Sequence, residues 1–360
     1  MNQKKALLII ALIIFITLAV TVKIESVPPL WWDEGWTLQV ARNWIEQGFY
    51  GRIMDGERLA AGLSAHFPVV ASAALSFKLL GVGVWQGRLP GVIYFILTLV
   101  LLFYLVRNLY NRRIALAMLA VLFLTFFGEN HIVLRGREIL GETTAIFWLS
   151  AGYLLLWKAR GKSTWLLLLA IVSWGVAINS KAQVLPFLMA SLLTALGFAL
   201  IKRWWREALI VLLAAFGAWL VSKGMLHVQG WILRGITAPS QGPLQNYYAF
   251  TALVIDWGVR YKALVILLTY GLLTLLGVLY ALRVQLGKIK QKDLVRQDEI
   301  VRTALLGLTV SWLGISCYRT PGPVTFSRPV FSAAFLRRPF CMKLPMGFPG
   351  QLPGRNFNEN

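Results

Sequence analysis

The sequence predicts an all-α membrane protein, a polytopic transmembrane helical bundle of about nine spans with a large first extracytoplasmic loop bearing interfacial amphipathic helices. Three observations predict it. Apolar runs recur along the first 316 residues, several of them reaching the ~20 residues that a helix needs to cross a bilayer. Of the 360 residues, 58% are hydrophobic and only 14% charged, against roughly 25% charged in an ordinary soluble domain. Finally, the basic residues behind the net charge of +21 gather in short clusters between apolar runs. That distribution is the positive-inside pattern rather than a phosphate-binding face, and it excludes nucleic acid as the partner.

The elements follow in chain order. MNQKK and the run ALLIIALIIFITLAVTV form an uncleaved first span, because no small-residue cleavage site follows. The N-terminal lysines hold that end in the cytoplasm, so residue 24 emerges on the far side. Later spans are predicted at 89–107, 114–128, 141–157, 164–178, 184–201, 207–225, 262–282 and 303–317. The intervening cytoplasmic loops then read RNLYNRR, KARGK, KRWWR and RVQLGKIKQKDLVRQDEIVR, each with at least three Lys or Arg. The membrane domain covers 1–317, with extracytoplasmic segments at 24–88, 129–140 and 226–261.

Within the first of these, WTLQVARNWIEQ (36–47) places Trp36, Val40, Ala41, Trp44 and Ile45 on one arc and Gln39, Arg42, Asn43 and Glu46 on the other. Gly48 is its expected C-cap. A second amphipathic helix is expected over Pro68–Leu80, and both are expected to lie on the membrane surface. From Cys317 the text changes. Seven of the fourteen prolines fall in 317–360, with six Lys/Arg and one acid. Segment 318–360 reads either as a disordered basic tail or as the product of a frame change near Ser316. Cys317 and Cys341 offer no disulfide framework or metal spacing.

Chemistry-bearing residues collect on the extracytoplasmic side. Asp33 and Glu34, in WWDEGWT, follow the first span, where ionisable groups either serve a site or find a partner. Capping of the following helix is the plainer role for them. Residues 129–142, ENHIVLRGREILGE, bring Arg135, Arg137, Glu138 and Glu142. A helix beginning at 135 would put Glu138 and Glu142 on one face and pair Arg135 with Glu138. That cluster also reads as a self-satisfied ion-pair group. Lys181 sits in the tight turn NSKAQ, as a snorkelling lysine or a cation for an anionic headgroup. His66 precedes the second surface helix, as a packing residue or a ligand. Carboxylates for general-base work and cations for a departing phosphate on one face are what transfer from a phosphate-linked lipid requires.

The DE pair after the first span, then H-x-P, GRLPGVIYFILTLVLLFYLVRNLY and LRGREILGE resemble the GT-C membrane glycosyltransferases. The likeness is to bacterial relatives of the dolichyl-phosphate-mannose protein mannosyltransferases and the lipid A aminoarabinose transferases. It runs over about 5–316 and is clearest in 30–145. It implies an enzyme that takes a sugar from a polyprenyl-phosphate donor at the extracytoplasmic face of the plasma (inner) membrane and inverts the anomeric centre. The acceptor would be a lipid, glycan or protein. It implies Asp33 as the catalytic carboxylate with Glu34 beside it and Glu138 as the second-loop acid with Arg137 next to it. His66 falls in the H-x-P-like stretch, where this chain has Pro68-Val69 in place of two prolines, and Lys181 matches the lysine after the fifth span. Family members usually have further spans that this chain lacks. No cofactor is required; a divalent metal is compatible with the acids but not demanded by their spacing. A transporter or flippase of a lipid-linked substrate and an inactive scaffold are the competing classes, and the near absence of mid-membrane charge opposes the first.

Overall fold

The computed structural model describes residues 21–62, 65–124, 131–159, 163–237, 265, 268, 272–289, 291 and 295–316. The first predicted span up to residue 20 and the 318–360 tail lie outside the described residues. The chain forms α1 (Trp32–Gln47), β1 (Arg52–Met54), β2 (Glu57–Leu59), α2 (Phe67–Leu80), α3 (Val84–Leu109), α4 (Arg112–Leu124) and α5 (Ile132–Gly136). It continues through α6 (Gly141–Ala159), α7 (Thr164–Ser180), α8 (Val184–Ile201), α9 (Trp205–Ile232), α10 (Leu272–Lys288) and α11 (Arg296–Ser316).

The all-α expectation needs one correction. Residues 52–59 form an antiparallel hairpin pairing Arg52 with Leu59 and Met54 with Glu57. Its turn is Asp55-Gly56, with φ of 51° and 83°, the positive values that a two-residue hairpin loop demands. Helix α1 also departs from its prediction. It begins at Trp32, with Trp31 as an extended N-cap that makes no side-chain capping bond, so Asp33 and Glu34 lie within the first turn. Its buried face is Glu34, Thr37, Leu38, Val40, Ala41 and Asn43, while Ile45 is exposed. The polar Asn43 faces inward because its Nδ2 donates to the Gly51 carbonyl at 2.9 Å, and Gln39 likewise reaches the Ile53 carbonyl at 2.9 Å. The hairpin therefore sits on α1 and turns the expected apolar arc. Gly48 caps the helix in the left-handed conformation, as expected.

Among the described residues three helices, α3, α8 and α9, are long and apolar enough to cross a membrane. The nine-span count also draws on runs that lie wholly or partly outside the described residues. Predicted limits hold closely for α8 and for the 179–183 turn. Helix α9 runs seven residues past its expected end into 226–261, and α11 starts seven residues early. Exposed Ile93, Leu97, Val100 and Tyr104 form a stripe along α3, and Leu209, Leu213, Phe216 and Leu220 form one along α9. Continuous exposed apolar faces are what lipid contact requires. The chain is a multi-pass membrane protein.

Polar bonds gather the helix termini into two ends. At one, Trp157 Nε1 donates to Asp298 (2.9 Å), Gln297 to the Leu156 carbonyl (2.9 Å) and Arg302 to the Leu109 carbonyl. Glu299 there accepts from Lys288 and Arg302. This end holds the described parts of the basic segments 107–113, 158–159 and 202–206. The opposite end holds α1, the hairpin, the start of α2 and α3, residues 131–142 and the 179–183 turn. Leu38, Val40, Ala41, Tyr50, Val69, Val70, Ala73 and Phe77 make its apolar core, which Leu233 joins beyond α9.

Candidate active site

The motif GRLPG (87–91) is where the site is assembled. Proline at 90 removes the N–H that would bond the Gln86 carbonyl, and Ser76 Oγ takes that carbonyl instead, at 2.5 Å. The α2–α3 contact is thus written into one proline. The glycines flank it for space. A Cβ on Gly87 would collide with Leu38 and meet Phe77 at 3.1 Å, and one on Gly91 would meet the Glu138 carbonyl at 2.7 Å. One turn of α3 therefore receives α1, α2 and the 137–140 segment.

Between those glycines Arg88 is fully buried, and so is its partner Glu34. Arg88 Nε and Nη2 donate to Glu34 Oε1 and Oε2 at 2.8 and 2.6 Å. Its Nη1 donates to the Ile24 and Pro28 carbonyls at 2.5 and 2.9 Å. The Ile139 N–H adds a third bond to the Glu34 carboxylate at 3.1 Å. A buried pair of this kind endures only when its polar atoms are well partnered, and here all three guanidinium nitrogens and both carboxylate oxygens take part. Arg88 went unremarked in the sequence because the predicted span starts at 89. The signal was an arginine between two close-approach glycines at a helix start.

Asp33 differs from its neighbour. It is half-buried, and among the described residues its carboxylate has no hydrogen bond or ion pair; only its backbone carbonyl is used, by Thr37 Oγ1 at 2.8 Å. Helix geometry explains the contrast, since adjacent positions point about 100° apart.

Glu138 is buried, 5% exposed, and pairs with Arg135 at 2.8 Å. The predicted i,i+3 pair is present, but the shared helical face with Glu142 is not. Helix α5 stops at Gly136 and α6 starts at Gly141, so 137–140 is not helical and the two acids part. Burial raises the Glu138 carboxyl to about 7, helped by the Glu34 charge and opposed by Arg135 and Arg88. Arg137, also buried, donates to the Val27 carbonyl at 3.1 Å. It ties the second loop to the start of the first.

Glu142 instead meets Lys181, at 2.8 Å. The sequence offered Lys181 no acid in its own turn; the fold supplies one from α6. A Cβ on Gly141 would clash with the Ser180 carbonyl and meet Lys181 at 3.3 Å and His66 at 3.4 Å. The ends of α2, α6 and α7 thus meet at one glycine. Enclosure of the His66 ring lowers its pKa to about 4, with the Lys181 charge adding and Glu142 opposing. The site residues therefore fall into two groups at one end: Glu34, Glu138, Arg135 and Arg137 around Arg88, and His66, Glu142 and Lys181 around Gly141. Among the described residues no cluster of three metal-ligating side chains occurs.

The family model of the dolichyl-phosphate-mannose-protein mannosyltransferases matches residues 66–226. The chain resembles those membrane glycosyltransferases. The mannosyltransferase-like stretch begins at His66 and contains every site residue but Asp33 and Glu34. Two solved structures of ArnT from Cupriavidus metallidurans, in the apo state and bound to undecaprenyl phosphate, are similar at 15% identity and a TM-score of 0.46. They match 85% and 84% of this chain and 59% of their own. This chain thus spans 59% of the length of the solved structures it matches. None of the curated proteins compared matches it.

Proposed function

We propose that this chain is an integral-membrane glycosyltransferase that moves a sugar from a polyprenyl-phosphate donor to an acceptor hydroxyl at the extracytoplasmic face of the plasma membrane. The observation that carries the reading is the division of labour in WWDEGWT. Glu34 is consumed by Arg88, whereas Asp33, in the same turn, keeps its carboxylate open among the described residues. The resemblance over 66–226 supplies the enzyme class.

In this reading Asp33 accepts the proton of an acceptor hydroxyl as its oxygen attacks the anomeric carbon. The bond from that carbon to the phosphate oxygen breaks, and its electron pair leaves on the polyprenyl phosphate. The attack comes from the face opposite the leaving group, so the configuration inverts. Glu138, poised near neutrality, exchanges a proton with the site, and Arg135 and Arg137 oppose the negative charge in the second loop. Lys181, held by Glu142 beside His66, closes the lipid side. The acceptor is a lipid, glycan or protein.

The test is sugar release from radiolabelled polyprenyl-phosphate sugars by membranes containing the chain. Release above that of membranes lacking it is expected. No release, with every donor sugar offered and the protein folded, would refute the reading.

A further inference from the structure

Arg52 played no part in the reading of the sequence, yet it is a pinned cation at the site end whose charge no carboxylate meets among the described residues. Its guanidinium lies over the Trp36 ring, 4.6 Å from the centroid, and its Nε donates to the Ala60 carbonyl at 3.0 Å. Gly62 stands beside it, where a Cβ would come within 3.2 Å of Cζ. Trp36 is itself held edge-on by Trp32, with centroids 5.9 Å apart, and the hairpin bearing Arg52 is tied to α1 through Gln39 and Ile53. Three contacts thus fix the plane and the Nε edge. The two terminal nitrogens have no hydrogen-bond or ion-pair partner among the described residues, and the side chain is only half-buried.

A guanidinium held this way is a preorganised two-nitrogen fork, the shape that matches two oxygens of a phosphate. Its rotamer entropy is already spent, so binding loses little more. Stacking on Trp36 leaves the charge intact while fixing its direction. Its position also matters. Trp36 lies three residues after Asp33, about 4.5 Å further along α1 at 1.5 Å per residue, so carboxylate and fork flank the same helical turn without neutralising each other.

We propose that Arg52 is a phosphate-binding residue whose terminal nitrogens clamp the oxyanion of a lipid-linked phosphate beside Asp33. The inference rests on the glycosyltransferase reading and gives it a substrate contact. When the bond from the anomeric carbon to the phosphate oxygen breaks, the phosphate passes from a singly charged diester to a more negative monoester. The fork faces that added charge. The same chemistry would hold a phosphate from a bulk phospholipid or from solution, and the test separates these sources.

The experiment measures saturable binding of radiolabelled undecaprenyl phosphate to the full chain in phosphatidylcholine nanodiscs, with phosphatidylglycerol or inorganic phosphate as competitors. Arg52→Lys keeps the charge and loses the fork, and it is expected to weaken binding tenfold or more, the equivalent of one charge-assisted hydrogen bond. Trp36→Leu leaves the guanidinium but unpins it, and is expected to weaken binding several-fold, which keeps the test open should Arg52→Lys misfold. Arg58→Lys, on the same hairpin but stacked on Phe49, is expected to change nothing. Weakening with no displacement by either competitor assigns the lipid-linked phosphate. Displacement by phosphatidylglycerol or by inorganic phosphate, with the same Arg52 dependence, keeps the fork and names the other source. Binding by the parent that Arg52→Lys and Trp36→Leu leave unchanged overturns the Arg52 assignment and spares the glycosyltransferase reading. A parent that binds none of the three overturns both.

Discussion

Replacing Arg88 by Met removes four donated hydrogen bonds at once: two to the Glu34 carboxylate and one each to the Ile24 and Pro28 carbonyls. Met fills much of the volume, so packing loss is small and the cost is mainly electrostatic. Glu34 is left fully buried with only the Ile139 N–H to answer its charge. Breaking one partner of a buried pair costs about 3–5 kcal/mol, whereas replacing both by apolar residues of similar size is often near neutral. The same chain carrying Glu34→Leu and Arg88→Met should therefore recover most of the loss. The double-mutant cycle is expected to give a coupling of about 3 kcal/mol, well above the 0.3–0.5 kcal/mol within which independent sites add. Thermal unfolding of purified protein in detergent, followed by size-exclusion fluorescence, reads it out. At roughly 1.3 °C per kcal/mol for a chain of this length the single variant should unfold about 5 °C earlier. Additive effects, or an Arg88→Met variant as stable as the parent, would show that the pair does not hold the first loop to α3.

Three further outcomes follow from the same site. His66 has a folded pKa of about 4 against 6.5 in the unfolded chain, so the unfolded state binds more protons between those values. Stability is therefore lost as pH falls from 6.5 toward 4, by about 3 kcal/mol at 1.36 kcal/mol per pKa unit; His66→Gln, which cannot protonate, should flatten that acid loss in denaturation midpoints. Glu138 carries the opposite sign, with a folded pKa raised to about 7. Its contribution is full below its ordinary value and is lost as pH rises through 7, so Glu138→Gln should flatten the pH dependence of stability above pH 5. Gly141→Ala drives a methyl into the Ser180 carbonyl. It should separate Lys181 from Glu142 and cost 1–3 kcal/mol, as overpacking does, measured by the same unfolding assay.

Much of this architecture was legible in residue order, and the reasons are local. The 184–201 helix, the 179–183 turn, the Gly48 cap and the Arg135–Glu138 pair all depend on neighbours within four residues or on continuous hydropathy. What escaped was long-range or hidden by a stronger local pattern. The Glu34–Arg88 pair joins residues 54 apart, and Lys181 finds its acid on another helix. The Asp55-Gly56 turn was visible as a hairpin signal but lay inside a segment read as helical surface loop. Glu138 and Glu142 were joined on one face by helical spacing, yet Gly136 and Gly141 bracket a break that separates them. The inward turn of Asn43 could not be read from periodicity, because its reason is a carbonyl in the hairpin.

Asp33 and Glu34 are adjacent carboxylates to which the structure gives opposite surroundings, and the central claim is that Asp33 reacts while Glu34 builds. The most direct measurement compares transfer rates of Asp33→Asn and Glu34→Gln, each normalised to folded protein, alongside their unfolding temperatures. The account predicts that Asp33→Asn unfolds with the parent but loses 10²–10⁴-fold in turnover, the usual worth of a general base. Glu34→Gln should lose stability first, and activity only through that. Full turnover from Asp33→Asn, or a stable Glu34→Gln that is catalytically dead, would contradict it.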